Sequence, residues 1–390
     1  MSVGKMKRLL LIVLLFTSFI LASCEAESDP NIPIVDPKID FLEKEDLTSD
    51  YISWYGRHHH VLDQEVFYHT ATGFEISFTG RIVDINLSLS DKNNDIYFSL
   101  AKDDESLLDG EVLILSEELQ TFRITFDTYD DHRVQLVKRS EPEDGVTALV
   151  SLETNGTFTK VIKDDTAPHF LMIGASGISG HGALGEAGQQ RTTENSSSLH
   201  SFGYLTALQF GGSFEFVSNS GWGLAFGYND ITGETNINKA YDYIGIDANQ
   251  ELVDVIYDHS VVPDIVIVNI GGNDYTSVIN RLSGFAKEDK IAEFKNTVAE
   301  FILKIREDAP NAHIFWTMTS GSLNGSAAAS VIALLEPEDQ AFVHMVEIKS
   351  VGEDGDPVGA NNHSSFITHQ KSADLIAAAI LEFTSLTRTT

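Results

Sequence analysis

Cysteine is almost absent from this 390-residue chain, Cys24 being the only one. Disulfides within the chain and cysteine-based metal centres are therefore excluded. Basic residues are also scarce, 26 Lys and Arg against 58 Asp and Glu, for a net charge of −32. That balance excludes a nucleic-acid partner, whose phosphates need a basic face, and suits neutral or weakly charged substrates. The apolar run from Leu9 to Ala22 is short for a transmembrane helix. Proline is rare, nine in all, and Pro30, Pro33 and Pro37 fall together between Glu25 and Lys44.

What is present at the start is a targeting segment. Lys5, Lys7 and Arg8 precede the apolar run, the order of a secretory signal. The run ends Leu21-Ala22-Ser23-Cys24, which resembles a bacterial lipoprotein processing box. The resemblance implies a signal peptide over residues 1–23, cleavage before Cys24 and lipidation of its thiol. A membrane would then be met through the lipid anchor only, and the outer membrane, on its periplasmic or cell-surface face, is the expected location. The acidic, proline-bearing stretch that follows reads as an extended tether over residues 24–48.

From 49 to 165 the pattern has period two. Phe74–Phe78, Ile82–Leu89, Phe122–Phe126 and Val134–Val137 alternate, while Asp91–Asp95, Asp127–His132 and Glu141–Gly145 read as turns. Many short strands without a helix predict an all-β sandwich. A jelly roll is expected, and the spacing fits an immunoglobulin-like sandwich equally. His58, His59 and His60 invite a metal reading. Adjacent strand residues point to opposite faces and no acidic partner sits at ligand spacing, so no metal or other cofactor is expected. Trp54 reads as core, with a sugar platform as the alternative.

From 166 to 390 apolar strands alternate with helical stretches. Strands are expected at Phe170–Ile173, Phe214–Ser218, Ile265–Ile270, His313–Met318 and Val343–Ile348. Helices are expected at Leu199–Phe210, Lys287–Glu307 and Thr368–Phe383. The pattern predicts a parallel doubly wound sheet, whose sites lie at the carboxyl ends of its strands. Four such places carry chemistry. Gly174-Ala175-Ser176 follows the first strand, Gly221 the second and Gly271-Gly272-Asn273-Asp274 the third, and His363 precedes the last helix. Singly, each is an ordinary loop glycine, capping asparagine or surface histidine. Together they meet the needs of acyl transfer: a hydroxyl nucleophile, a base, and N–H donors for an oxyanion. Gly180–Gly185 spells a dinucleotide fingerprint but begins too far past the strand to open a helix there. Ile178 stands where a hydrolase nucleophile elbow needs glycine.

In this order the blocks resemble those of the SGNH (GDSL) hydrolases, mapped onto Ser176, Gly221, Asn273 and His363. With a sandwich in front, the chain resembles carbohydrate esterase family 2. Tyr55-Gly56-Arg57, His132–Glu141, Thr193-Glu194-Asn195 and Ser201–Tyr204 are similar to stretches of that family. The resemblance implies a jelly-roll sandwich followed by a flavodoxin-like, three-layer α/β/α hydrolase domain. It implies a serine esterase removing O-acetyl groups from polysaccharides of xylan or glucomannan type. Ser176 and His363 would be catalytic, and the Ser176 N–H, Gly221 and Asn273 would form the oxyanion hole.

Two departures stand out. The usual Gly-Asp-Ser reads Gly174-Ala175-Ser176, and Ala360 and Asn361 stand where an orienting aspartate is expected. The competing reading is a carbohydrate-binding surface lipoprotein with weakened turnover. A Ser176–His363 dyad is expected, with a backbone carbonyl near Val358–Asn361 accepting the Nδ1 proton. Asp354 and Asp356 are the alternative acids.

Overall fold

Period-two alternation builds the first sheet. The structure, a computed structural model of the chain, describes residues 40–43 (backbone only), 50–161, 166–228, 230, 232–234 and 236–389. Ten strands pair antiparallel: β1 (Asp40–Glu43), β2 (Ile52–Tyr55), β3 (His59–Val61), β4 (Gln64–Phe67), β5 (Gly73–Ser90), β6 (Ile96–Lys102), β7 (Glu111–Leu115), β8 (Leu119–Lys138), β9 (Val146–Thr154) and β10 (Thr157–Thr159). The order is β3-β4-β9-β5-β8-β6-β7, with β1 on β9 and both β2 and β10 on β5.

β5 explains why the sequence shows two strands where the fold has one. Phe74, Ile76 and Phe78 are buried at even positions, and Val83, Ile85, Leu87 and Leu89 at odd ones. The register shift between Gly80 and Ile82 resets the parity, so both halves face the core. Two expectations are corrected here. Asp127–His132 is not a turn but lies within β8, where its polar side chains tolerate exposure and the chain absorbs the register shift. The sheet also begins before residue 49, because β1 pairs with Ser151–Thr154 inside the expected tether. Cys24 and the signal segment lie outside the described residues.

The second sheet is parallel, in the order β12-β11-β13-β14-β15. Its strands are β11 (His169–Gly174), β12 (Ser213–Ser218), β13 (Ile265–Asn269), β14 (His313–Thr319) and β15 (Val343–Ile348). Near-continuous apolar runs form the inner strands, as burial on both faces requires. Between and after them lie α1 (Ser176–Ser179), α2 (Phe202–Gln209), α3 (Ile237–Ala240), α4 (Gly284–Asp308), α5 (Leu323–Ile332), α6 (Pro337–Gln340) and α7 (Phe366–Phe383). Phe202 and Leu205 of α2 and Ile376 and Ile380 of α7 share one core with Phe170, Ile267 and Phe315. Phe294, Val298 and Phe301 of α4 share the other with Ile173, Val268 and Trp316. The result is helices on both faces of a sheet whose order switches at β11 and β13, where doubly wound folds place their crevice.

The two sheets belong to one compact unit, Lys38–Thr390. Arg57 ties them together and is fully buried. Its Nε donates to Glu215 Oε1 of β12 at 2.8 Å, and its Nη1 to the carbonyls of Tyr241 and Tyr243, each at 2.7 Å. No helix among the described residues is long and apolar enough to cross a membrane.

Candidate active site

Ser176 is the first residue of α1, directly beyond the carboxyl end of β11. His363 follows a short 3-10 turn, Ala360–Asn362, that leads into α7. The fold brings the two together although they are 187 positions apart: His363 Nε2 lies 2.9 Å from Ser176 Oγ. His363 Nδ1 lies 3.0 Å from the carbonyl oxygen of Asn361. A carbonyl only accepts, so Nδ1 carries the proton and Nε2 is free to accept from the hydroxyl. Burial pushes the His363 pKa below its ordinary value. A neutral imidazole in hydrogen-bond contact with a half-buried hydroxyl can take its proton.

Neither alternative acid reaches the histidine. Asp354 pairs with Lys349 at 2.9 Å and Asp356 with Lys371 at 2.6 Å. The carbonyl near Val358–Asn361 that the sequence points to is that of Asn361. Ser179, the nearest other hydroxyl in α1, is fully buried and bonded to Ser218 Oγ at 3.0 Å.

Gly221 lies in the turn after β12 at φ +82°, where a side chain would be strained. Its N–H has no hydrogen-bond partner among the described residues. Asn273 follows β13, and its Nδ2 donates to the carbonyl of Trp222 at 2.8 Å. That uses one of the two amide hydrogens and anchors the side chain to the Gly221 turn.

Asp274 shows why these two loops stay together, a role the sequence reading left unassigned. Its fully buried carboxylate accepts from the N–H groups of Leu224, Ala225 and Phe226 at 2.9, 2.8 and 2.9 Å. Burial pushes its carboxyl up to about 6, against the pull of those three donors. The backbone packs so closely that a Cβ on Gly223 would collide with the Phe226 carbonyl.

The sheet domain also reaches this place, through contacts that no local sequence pattern marks. Glu141, Glu143 and His181 are a group close enough to share a cation among the described residues. The Arg191 guanidinium already serves there, with Nη1 2.6 Å from Asp144 Oδ1 and Nη2 3.6 Å from Glu141 Oε1.

One part of the histidine-run reading is corrected. His58 and His60 do have an acidic partner: their Nδ1 atoms each lie 2.7 Å from an oxygen of buried Glu65 on β4. The β3–β4 hairpin pairs His60 with Glu65, and His58, just before β3, reaches the other oxygen of the same carboxylate. Trp54 stacks on His58 with ring centroids 4.3 Å apart, half-buried beside Phe67 and Phe74.

Comparison with known proteins gives this geometry a context. Residues 54–160 match the family model "Carbohydrate esterase 2 N-terminal". A protein of Cellvibrio japonicus named acetylxylan esterase / glucomannan deacetylase is 28% identical over 214 residues, 54% of this chain and 55% of that one. The chain thus spans about half the length of that relative. A solved family two carbohydrate esterase from Cellvibrio japonicus superposes with a TM-score of 0.71 at 21% identity, covering 89% of this chain and 98% of that one. A family two carbohydrate esterase from Clostridium thermocellum, solved with cellohexaose, gives 0.72 at 22% identity over 85% and 99%. The first sheet thus matches the N-terminal domain model of carbohydrate esterase family 2, and the chain as a whole, an N-terminal sheet domain joined to an α/β domain, is similar in sequence to acetylxylan esterases and shares the fold of solved family two carbohydrate esterases.

Proposed function

We propose that this chain is a serine esterase that removes O-acetyl groups from polysaccharides of xylan or glucomannan type. The observation that carries the reading is the line Ser176 Oγ, His363 Nε2, His363 Nδ1, Asn361 O, with contacts of 2.9 and 3.0 Å. His363 Nε2 takes the Ser176 proton as Oγ attacks the acetyl carbonyl. The oxyanion accepts from the Ser176 N–H, the Gly221 N–H and the Asn273 amide. The sugar oxygen leaves with the proton returned by Nε2. Water, deprotonated by the same nitrogen, then hydrolyses acetyl-Ser176 and releases acetate. The Asn361 carbonyl holds the tautomer throughout and supplies orientation without a full charge.

The substrate class rests on the names of the relatives and on the cellohexaose bound by the Clostridium thermocellum neighbour. The test is acetate release from acetylated xylan and glucomannan, with Ser176→Ala as the control. Release by the wild type and none by the variant supports the reading. Polysaccharide binding without release supports the binding-protein alternative. The reading includes a lipid anchor on Cys24 at a bacterial outer membrane, from the Leu21–Cys24 segment. Fatty-acid labelling lost in Cys24→Ala checks it.

A further inference from the structure

The carbonyl that holds His363 belongs to a residue in an unfavourable conformation. Asn361 has φ +54° and Asn362 φ +57°. Non-glycine residues adopt this region only when their surroundings insist, asparagine more readily than most. Two contacts pin Asn361. Its N–H donates to the Gln189 carbonyl at 2.8 Å. Its side-chain Nδ2 lies 3.3 Å from His181 Nε2.

His181 is itself buried and held from the other side. Its Nδ1 lies 2.9 Å from Glu141 Oε1. The carboxylate accepts, so Nδ1 carries the proton and Nε2 is left to accept from the Asn361 amide. Glu141 Oε2 accepts from the N–H of Ser220 at 3.0 Å, one residue before Gly221. The Ser220 hydroxyl lies 3.0 Å from His181 Nδ1. The rings of His181 and His363 are 4.4 Å apart. One carboxylate thus touches the supports of both the base and the Gly221 turn. It sits in the sheet domain, between β8 and the 3-10 turn Pro142–Asp144, with no exposed surface.

We propose that Glu141, acting through His181, is a positioning residue for the catalytic centre: the sheet domain lends the α/β domain the orienting carboxylate that Ala360 and Asn361 do not supply. This rests on the esterase reading above. Glu141 touches neither Ser176 nor His363. It fixes the Asn361 side chain, and through it the carbonyl that receives His363 Nδ1–H, while its second oxygen fixes Ser220. The groups facing it are His181, Arg191, Glu143 and Asp144, and those acting on His363 are His181, Glu141 and, more distantly, His369. Glu141's negative charge favours the His363 imidazolium, so its loss should carry the acidic limb of the rate profile to lower pH.

The test uses the full chain with an aryl acetate. Glu141→Gln should lower kcat on the order of 10-fold to 100-fold, as a lost positioning contact does, with KM little changed and the acidic limb moved down. Glu143→Gln, in the same turn and facing the same arginine, should keep wild-type kcat. A folded Glu141→Gln protein with wild-type kcat and pH profile overturns the proposal, and so does an equal loss in Glu143→Gln. If Glu141→Gln does not fold, ring-nitrogen NMR of the wild type decides. A proton on His181 Nδ1 with an accepting Nε2 supports the arrangement, and a proton on Nε2 overturns it. Failure of the esterase reading is distinguishable, because the wild type itself would then release no acetate.

Discussion

Replacing Asp274 by asparagine should separate stability from turnover. The carboxylate accepts three backbone N–H bonds, two at Oδ1 from Ala225 and Phe226 and one at Oδ2 from Leu224. Asparagine keeps one oxygen for the first two and turns an amide NH₂ on the Leu224 N–H. The buried Leu224 N–H, left without an acceptor, costs about 1–3 kcal/mol. Against that, burial raises the carboxyl from 3.8 to about 6. Holding it ionised at neutral pH therefore costs about 3 kcal/mol, which asparagine does not incur. The two nearly cancel, and Asp274→Asn should melt within a few degrees of the wild type. Turnover should not be spared, because the same bonds hold the turn bearing Gly221 and the Trp222 carbonyl that anchors Asn273. We expect kcat on the order of 10-fold to 100-fold lower. The folded pKa lies above the unfolded one, so this group's contribution to stability is present below 3.8 and lost as pH rises through about 6. The melting-temperature advantage of wild type over variant should therefore shrink as pH rises across that window. Thermal melts across it, with aryl-acetate kinetics at neutral pH, measure both. Wild-type kcat in the variant, or an advantage that grows with pH, refutes the reasoning.

Three further outcomes follow from the geometry. The acidic limb of kcat/KM should have a contribution with its midpoint below 6.5, because burial disfavours the His363 imidazolium, and a pH–rate series on a neutral ester checks it. Asp354→Asn and Asp356→Asn should each keep most activity, since both carboxylates pair with lysines; a loss near the roughly 10⁴-fold of a neutralised triad acid would contradict this. Arg57→Met strips the buried Glu215 of its charged partner and should destabilise by about 3–5 kcal/mol, read from chemical denaturation.

The parts of the fold legible in the sequence were those written in local pattern. The five parallel strands stand out because burial on both faces makes them short apolar runs between turns. The long strands β5 and β8 look like fragments in the sequence, because a register shift reverses the alternation midway and resembles a break. β1 was hidden because Asp40–Glu43 follows a proline-bearing acidic stretch and owes its strand to pairing with β9. α5 is rich in Ala, Ser and Gly and has no strong apolar stripe. At the site, order and position single out Ser176 and His363, which the fold brings within 2.9 Å, and Gly221 and Asn273, whose turns the Asn273 amide joins; the missing aspartate points to a carbonyl, and His363 Nδ1 meets that of Asn361. No local pattern marks Asp274, Glu141 or His181 as functional. Their partners lie 40 to 180 positions away, a distance at which no spacing rule operates. His181 stood inside a misleading glycine pattern, and Glu141 in what read as a turn.

The central claim is that Ser176 carries the acetyl group between polysaccharide and water. Rapid quenching of the protein during turnover of an aryl acetate, followed by peptide mass mapping, tests it most directly. The account predicts an acetyl group on the peptide containing Ser176, absent from the Ser176→Ala protein. Acetate release with the acetyl group on any other residue would contradict it.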